Sequence, residues 1–289
     1  MENILVTGVN GQLGHDVVLE LESRGIPCRG VDFEDFDLTD KAQTDRFIRT
    51  FQPSAVIHCA AYTNVNAAEE NEELCFKVNV EGTRNIAEAC AYLQCKLIYI
   101  SSDYVFNGGG DTPFNVDDET GPLNVYGKSK LEGETAARVN PKTFVVRTSW
   151  VYGLNGNNFV KTMIKLGKQK TELTVVGDQI GSPTYTKDLA RLLVDMVLTT
   201  KYGTYHATNE GFCSWAEFAA AIMKEAGIAC RIIPVNSSDY PSPVERPHNS
   251  RLSKISLDFA SLNRLPKWQN ALGRYLIELA QNEQDALGI

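Results

Sequence analysis

Along the first 150 residues, short runs of apolar residues alternate with stretches in which apolar residues recur at helical spacing. The run at residues 4–6 is too short for a helix and ends at a Thr-Gly pair, which predicts a buried strand. The same criterion predicts further strands at 28–31, 55–59, 96–101 and 143–147. The stretches between them predict helices, because their apolar residues lie three and four positions apart, as at Leu13, Val17 and Leu21.

The predicted strands consist mainly of consecutive apolar residues and do not alternate apolar with polar ones. Strands of this kind are buried on both faces, which is typical of a parallel sheet covered by helices on either side. Parallel strands joined by right-handed helical crossovers form a doubly wound sheet. The pattern therefore predicts an α/β protein with a Rossmann-like doubly wound parallel sheet and a smaller C-terminal region.

After residue 152 the alternation becomes less regular, beginning with a turn-rich stretch at 153–158. Helical spacing returns later and predicts helices at 159–166, 188–198, 215–226 and 269–284. Short apolar runs predict strands at 203–208 and 231–235, and three prolines predict an extended loop at 239–247. We expect a segment near 172–209 to return to the main sheet.

Composition narrows the class of protein. The chain has 289 residues, of which 43% are hydrophobic and 22% charged, as expected for one large domain or two linked ones. We find no apolar run long enough to span a membrane and expect no secretory signal. The net charge of −8 argues against a nucleic-acid or membrane-surface binder. These features predict a cytoplasmic protein.

Cysteine and histidine usage does not indicate a disulfide framework or a metal site. The seven cysteines are an odd number and contain no C-x-x-C pair, which is typical of reduced, mostly buried thiols. The four histidines are scattered along the sequence, whereas a zinc site needs clustered ligands. We therefore expect no bound metal.

A glycine-rich loop follows the first predicted strand and opens the first predicted helix. Gly8, Gly11 and Gly14 have the spacing G-x-x-G-x-x-G, which permits a tight turn and a close approach of the backbone to a pyrophosphate at the helix N-terminus. Asp32 ends the second predicted strand, where a carboxylate accepts hydrogen bonds from adenosine ribose hydroxyls and repels a 2′-phosphate. Together these residues predict a dinucleotide site that favours NADH.

Tyr126 and Lys130 stand four residues apart on a predicted helix and therefore share one face. A phenol beside an ammonium group is a proton donor whose pKa we expect to be lowered by the cation. A Tyr and a Lys four residues apart are expected by chance in a chain of this composition, and a second such pair is Tyr92 and Lys96. That pair spans the junction of a helix and a strand, so it cannot present both side chains on one helical face. Ser102 ends the fourth strand, at the sheet edge where ligands bind, and is therefore expected to lie near Tyr126.

Taken together, the glycine loop, Ser102 and Tyr126-x-x-x-Lys130 resemble the extended short-chain dehydrogenase/reductase family. Further segments carry a narrower resemblance, to the dTDP-4-dehydrorhamnose reductases within that family, and it extends almost from end to end. These segments are 59–63 (CAAYT), 101–106 (SSDYVF), 122–128 (PLNVYGK), 147–153 (RTSWVYG), 156–163 (GNNFVKTM), 178–184 (DQIGSPT) and 246–250 (RPHNS).

The resemblance implies reduction of the 4-keto group of dTDP-4-dehydro-L-rhamnose to dTDP-L-rhamnose by NADPH or NADH, in nucleotide-sugar synthesis for polysaccharides. It implies catalytic roles for Tyr126, Lys130 and Ser102, with Tyr126 as proton donor and Ser102 in place of the family's usual threonine. Residues implied to bind the cofactor, besides Tyr126 and Lys130, are Gly8, Asn10, Gly11, Gln12, Leu13, Asp32, Asp37, Leu38, Ala60, Ala61, Tyr62 and Thr63. Residues implied to contact the substrate are Ser102, Asp103, Trp150 and Asn158.

On this basis we expect a dinucleotide-binding Rossmann domain at 1–150 and a mainly nucleotide-sugar-binding region at 151–289. Asp32 favours NADH on physical grounds, whereas the family uses NADPH or both. Some family members dimerise through magnesium held by acidic side chains, but Lys187 stands near the helix start where such an acid is expected. The expected state is a monomer or a homodimer without that metal.

Two other functions remain open. One is a dehydratase or epimerase of the same fold that acts on another nucleotide sugar. Related dehydratases carry an Asp-Glu pair after the strand-end hydroxyl, whereas Ser102 is followed by Asp103 and Tyr104. The other is a non-catalytic regulatory subunit, since the β subunit of methionine adenosyltransferase resembles the same reductases and can retain the Tyr and Lys pair.

Overall fold

The computed structural model describes residues 3–240 and 242–287. Its strands are β1 Ile4–Thr7, β2 Cys28–Val31, β3 Ala55–His58, β4 Lys96–Ser102, β5 Thr143–Thr148, β6 Val151–Tyr152, β7 Glu172–Val176, β8 Ile180–Gly181, β9 Thr184–Tyr185, β10 Gly203–His206, β11 Cys213–Ser214 and β12 Arg231–Val235. Its α-helices are α1 Gln12–Ser23, α2 Lys41–Phe51, α3 Val65–Glu70, α4 Glu72–Phe76, α5 Thr83–Leu93, α6 Val125–Ala137, α7 Phe159–Gly167, α8 Thr186–Val197, α9 Trp215–Glu225, α10 Ile255–Phe259 and α11 Trp268–Leu287.

Six parallel strands form the main sheet, in the order β10-β5-β4-β3-β1-β2. The strand order reverses at β1, which lies between β2 on one side and β3 on the other. The sheet is therefore doubly wound, as the sequence pattern predicts. Side chains along β1 alternate between two hydrophobic cores: Ile4 and Val6 face one, and Leu5 faces the other. Helices α1 and α8 cover the first face, and α2 and α5 cover the second. The predicted α/β fold class is confirmed.

The second half of the chain surrounds an aromatic core of its own. Helices α7, α9 and α11 pack with the two-stranded parallel sheet β7–β12 around Tyr152, Tyr185, Phe218 and Tyr275. Strand β10 lies in the main sheet beside β5, whereas β7 pairs with β12. Residues after position 150 thus contribute both to the core of the main sheet and to the aromatic core. The division of the chain into two domains at residue 150 stays a prediction.

Local structure departs from the sequence pattern at two places. The acidic run at 69–73 spans two helices: α3 ends at Glu70, and α4 begins at Glu72 with Glu72 and Glu73 exposed in its first turn. The Glu69 carboxylate accepts the backbone N–H of Val125 at 2.9 Å, so it connects α3 to the start of α6. Residues Lys77–Gly82 form a π-helical segment, which apolar spacing does not reveal.

The proline-rich loop at 239–247 contains no helix or strand beyond the end of a short 3₁₀ turn, Ser237–Asp239, in its described part. Pro241 lies outside the described residues. None of the described helices combines the length and the apolar character needed to cross a membrane.

Candidate active site

The glycine loop is shaped by contacts that a larger residue would prevent. Gly8 has φ of +73°, and a Cβ there would lie 2.6 Å from the backbone nitrogen of Ala60. A Cβ on Gly14 would lie 2.3 Å from the carbonyl oxygen of Gly8. Gly11 is the N-cap of α1 and offers no side-chain cap, which leaves the first N–H groups of the helix available to an anion. These residues fit the diphosphate of a dinucleotide.

A cavity of about 990 Å³ opens over the carboxyl ends of the central strands. Most residues that the sequence implicates in binding or catalysis line it. They are Gly8, Asn10, Gly11, Gln12, Leu13, Asp32, Asp37, Leu38, Ala60, Ala61, Thr63, Ser102, Asp103, Tyr126, Lys130 and Trp150. The cavity therefore brings together the implied cofactor residues, the implied catalytic residues and part of the implied substrate site.

Tyr62 and Asn158 are not among the residues that line this cavity. Tyr62 is held through its backbone, which exchanges hydrogen bonds with the side chain of Asn79 at 2.8 and 3.1 Å. The Asn158 side chain caps α7 and donates to the Gly153 carbonyl at 2.7 Å. Both residues support the walls of the site rather than face its interior.

Two acidic side chains at the cofactor end of the cavity have backbone partners. The Asp32 carboxylate accepts the N–H groups of Asn10 at 2.8 Å and Phe33 at 2.9 Å. It thus lies at the rim of the glycine loop and keeps lone pairs for a further donor. The Asp37 carboxylate accepts both the N–H and the hydroxyl of Thr39, so it organises the turn in which it lies.

Helix α6 carries Tyr126 and Lys130 on its cavity-facing side. The side chain of Asn124 caps the helix by accepting the N–H of Gly127 at 2.8 Å, which fixes where the helix begins. Lys130 is 3% exposed, and its ammonium lies 4.2 Å from the ring centroid of Tyr99. Burial lowers the pKa of Lys130 to about 7, although the charge of Glu134 opposes this shift.

The expected lowering of the Tyr126 pKa is wrong for this structure. Burial raises the pKa of Tyr126 well above its usual range, the charge of Asp103 adds to the rise, and a hydrogen bond with Ser102 only partly offsets it. The phenol is consequently protonated at neutral pH and available as an acid.

Ser102 and Asp103 form the floor of the cavity at the end of β4. The Ser102 hydroxyl donates to Asp103 Oδ1 at 2.9 Å and accepts the N–H of Tyr104 at 3.2 Å. Asp103 is 2% exposed, and among the described residues its Oδ2 has no hydrogen-bond partner. Burial raises the pKa of Asp103 to about 6, against the hydrogen bonds it accepts. An unpartnered oxygen here suits a polar ligand in the cavity.

Trp150 forms part of an aromatic wall that the sequence does not predict in full. It has φ of +49°, and its ring stacks on Trp215 with centroids 3.6 Å apart and planes inclined by 14°. Phe159 packs against Trp215 at 4.6 Å between centroids. All three line the cavity, yet Trp215 comes from α9, which no local motif connects to the site.

Beyond this wall lies a second cavity of about 1040 Å³, which shares Phe159, Trp215 and Arg246 with the first. The Arg246 guanidinium donates to the hydroxyl of Tyr104 at 3.2 Å and to Asn66 at 2.9 Å. It therefore places a cation where the two cavities meet. Arg246 belongs to the segment 246–250, whose sequence alone does not predict this position between the cavities.

Lys187, where the sequence predicts no magnesium bridge, has a carboxylate partner in the structure. Within residues 3–240 and 242–287, no three His, Cys, Asp or Glu side chains form a potential metal site. The Lys187 ammonium pairs with the Glu278 carboxylate, which also accepts the Tyr185 hydroxyl. A lysine cation thus neutralises the acid at this position.

A glycine-rich dinucleotide cradle, a buried Tyr and Lys pair and a strand-end hydroxyl around one cavity define a Rossmann-type protein of the short-chain dehydrogenase/reductase class. The family model described as RmlD substrate binding domain matches residues 1–281. The chain belongs to this family.

Relatives of known name and structure cover nearly the whole chain. The spore coat polysaccharide biosynthesis protein SpsK of Bacillus subtilis is 39% identical over 279 residues, which are 96% of this chain and 98% of that protein. A crystal structure of a dTDP-4-dehydrorhamnose reductase from Clostridium acetobutylicum is 41% identical with a TM-score of 0.94, and covers 96% of this chain and 99% of its own. The dTDP-4-dehydrorhamnose reductase of Bacillus anthracis, crystallised in complex with NADP, is 40% identical with a TM-score of 0.93 and the same coverage.

Proposed function

We propose that this protein is an NAD(P)H-dependent oxidoreductase that reduces the 4-keto group of dTDP-4-dehydro-L-rhamnose to give dTDP-L-rhamnose. The observation that carries the proposal is the convergence of Tyr126, Lys130 and Ser102 on the cavity that also contains the glycine cradle. The reductase names of relatives about 40% identical over 96% of the chain support the choice of reaction.

The chain's own residues supply binding, orientation and a proton. When bound, the reduced nicotinamide supplies the hydride for the carbonyl carbon. Tyr126 gives its phenolic proton to the forming alkoxide, and burial keeps that proton in place beforehand. The Ser102 hydroxyl, which donates to Asp103 in the structure, turns to donate its hydrogen bond to the same oxygen, where negative charge develops. Lys130 holds the nicotinamide ribose and stabilises the phenolate left on Tyr126.

The second cavity suits the nucleotide part of the substrate. Arg246 stands between the cavities, where a cation stabilises a diphosphate that joins the sugar to the nucleoside. The wall of Trp150 and Trp215 offers apolar faces to a hexose, and the unpartnered oxygen of Asp103 offers an acceptor to one of its hydroxyls. The keto-sugar then lies beside Tyr126 and Ser102, with the nucleoside in the second cavity.

Either cofactor fits this site, and the side chains at its rim favour NADH. Asp32 lines the cavity, and Glu34 and Asp35 follow it within three residues, so a 2′-phosphate would approach an acidic segment there. The guanidinium of Arg29 lies 3.6 Å from Asp35 and is already paired. The Bacillus anthracis relative binds NADP, so we propose that this chain accepts both cofactors with NADH preferred.

The name of the Bacillus subtilis relative also suggests where the product is used. We propose that the deoxysugar nucleotide serves as a donor for polysaccharide synthesis. The reactive positions support reduction rather than dehydration, because Tyr104 occupies the position where related dehydratases carry a second acid.

The direct test mixes the purified protein with enzymatically prepared dTDP-4-dehydro-L-rhamnose and NADH or NADPH, and follows cofactor absorbance together with the sugar product. We expect stoichiometric cofactor oxidation and dTDP-L-rhamnose. Cofactor binding without turnover would overturn the reaction and favour a regulatory subunit. Turnover of a different nucleotide sugar, with none of this one, would favour another enzyme of the same fold.

A further inference from the structure

The glycine loop is held from outside by a turn that belongs to the other half of the chain. The Asn155 side-chain amide donates to the carbonyl of Asn10 at 2.8 Å and to that of Gly11 at 3.2 Å. Asn155 lies between β6 and α7, 144 residues beyond Gly11. The part of the chain implied to bind the substrate therefore contacts the backbone implied to bind the cofactor.

A second contact joins the same two segments. The Gln12 side-chain oxygen accepts the N–H of Gly153 at 2.9 Å and the side-chain amide of Asn158 at 3.1 Å. The turn at 153–158 is thereby fixed against the start of α1. Asn155 differs from Gln12 in what it contacts, because its hydrogen bonds go to backbone carbonyl groups of the glycine loop itself.

Contacts to these carbonyls determine the direction of the neighbouring N–H groups. In a trans peptide the C=O and the N–H point in opposite directions. Holding the Gly11 carbonyl toward Asn155 therefore directs the N–H of Gln12, the first residue of α1, away from Asn155. That N–H is one of the helix's unpaired donors, and no side chain caps it. It is free to face the diphosphate.

We propose that Asn155 is a positioning residue for the cofactor: by holding the Asn10 and Gly11 carbonyls, it keeps the glycine loop in its diphosphate-binding shape. The inference depends on the proposed dinucleotide site at this loop. It also implies that the diphosphate site is completed by the second half of the chain. Asn155 acts through backbone groups and has no contact of its own with the reacting atoms.

The test compares Asn155→Ala with wild type and with Asn263→Ala, an exposed asparagine that lines neither cavity. Affinity is measured by calorimetry for ADP-ribose, which contains the diphosphate, and for adenosine, which does not. We expect Asn155→Ala to weaken ADP-ribose binding about tenfold, since two hydrogen bonds are lost, and to change adenosine binding less than twofold. Asn263→Ala should match wild type for both ligands.

Steady-state kinetics provides a second measurement, because a purely structural role would not change KM for the cofactor while leaving kcat intact. In Asn155→Ala the KM for the cofactor should rise about tenfold, whereas kcat at saturating cofactor should stay within twofold of wild type. Unchanged ADP-ribose affinity, or an equal loss for adenosine, would overturn the inference. If alanine prevents folding, Asn155→Leu has almost the same size but neither a donor nor a charge, and the same loss is expected.

The outcomes also separate this inference from the proposed function. If wild type binds ADP-ribose and Asn155→Ala binds it equally well, the inference alone fails. If wild type does not bind ADP-ribose, the dinucleotide site itself is wrong and both proposals fail.

Discussion

Ionisable side chains at the floor of the cleft have pKa values that burial moves away from their ordinary ranges. Burial lowers the pKa of Lys130 to about 7 and raises that of Asp103 to about 6. It also raises the pKa of Tyr126, which keeps its proton in place at neutral pH. Perturbed groups that share a cleft are characteristic of catalytic sites.

Removing the phenolic proton tests the role of Tyr126. Tyr126→Phe retains the ring, and we expect kcat to fall by about 10² to 10⁴, the usual contribution of a positioned acid. Cofactor affinity, measured by fluorescence titration, should change little. Tyr92→Phe is a matched control, because Tyr92 also precedes a lysine by four residues but is 65% exposed and lies outside the cavity. Full activity in Tyr126→Phe would exclude it as the acid.

Asp103 should make the stability of the protein depend on pH. Its pKa is higher in the folded protein, about 6, than the ordinary 3.8, so the folded state holds the proton more tightly. The stability that this proton provides is present at low pH and is lost as pH rises from about 4 through 6. Relative to Asp103→Asn, wild type should therefore lose roughly 2 kcal/mol of unfolding free energy between pH 4 and pH 7.

Urea unfolding of both proteins across this pH range measures the difference. A constant difference between wild type and Asp103→Asn would mean that the carboxyl titrates normally. Asn keeps the size of the side chain, so the comparison isolates the ionisation.

The cofactor preference is tested at Asp32. Asp32→Asn keeps an acceptor for the Asn10 N–H but removes the charge that repels a 2′-phosphate. We expect the ratio of kcat/KM for NADH to that for NADPH to fall about tenfold or more, measured with both cofactors under the same ionic conditions. If the ratio is unchanged, Asp32 does not face the adenosine ribose.

Residues whose role follows from local spacing were predictable. The glycines of the loop and the pair Tyr126 and Lys130 lie within one turn or one helix, so the sequence alone places them near each other; the cavity contains them all, and their roles stay predictions. Trp215 and Arg246 reach the cavity only through packing of distant segments. The pKa of Tyr126 was predicted in the wrong direction because burial depends on the complete fold, which a four-residue spacing does not show.

Helix α6 is anchored to the sheet by a buried ion pair. Glu134, one turn after Lys130, accepts from the Arg147 guanidinium at 2.7 and 2.8 Å and from the Ser101 hydroxyl at 2.7 Å. Burial raises the pKa of Glu134, but the hydrogen bonds and charge of Arg147 outweigh it and leave the pKa below its usual value. The ion pair connects the helix that carries Tyr126 to β5, and the Ser101 hydrogen bond connects the same helix to β4, the strand that ends at Ser102.

Breaking this pair should be far more damaging than breaking an exposed one. Arg147→Met removes the buried partner of Glu134 and leaves it only the partly exposed Arg138 and the Ser101 hydroxyl, and we expect a loss of about 3 kcal/mol in unfolding free energy. Arg231→Met breaks the exposed pair between Arg231 and Glu172, where side chains are 74% and 56% exposed, and should cost less than about 1 kcal/mol. Urea unfolding measures both, and equal losses would contradict the anchoring role of Glu134.

At the level of helices and strands, prediction succeeded where apolar spacing was regular. Strands β1 to β5 and helices α1, α8 and α9 match their predicted positions closely. The π-helical segment Lys77–Gly82 and the break between α3 and α4 were not predictable, because backbone hydrogen bonding there departs from the regular helical period without a change in apolar spacing.

In the whole molecule, both halves of the sequence contribute to the main sheet, to its hydrophobic core and to the cofactor end of the cavity. Strand β10 completes the main sheet, α8 packs on α1, and Asn155 holds the glycine loop. The boundary at residue 150 stays a prediction, and residues on both sides of it contribute to the main sheet and to the contacts of the glycine loop. Contacts between residues more than fifty positions apart create the aromatic wall and the place where the two cavities meet, and local patterns carry no information about them.

The proposed reaction is tested most directly by following the hydride. Wild-type protein is incubated with dTDP-4-dehydro-L-rhamnose and with NADH or NADPH that carries two deuterium atoms at C4 of the nicotinamide, and the product is examined by NMR and mass spectrometry. We predict dTDP-L-rhamnose with a single deuterium atom on C4 of the sugar. Unlabelled product, deuterium at another carbon, or unchanged keto-sugar in the presence of bound cofactor would contradict reduction at C4.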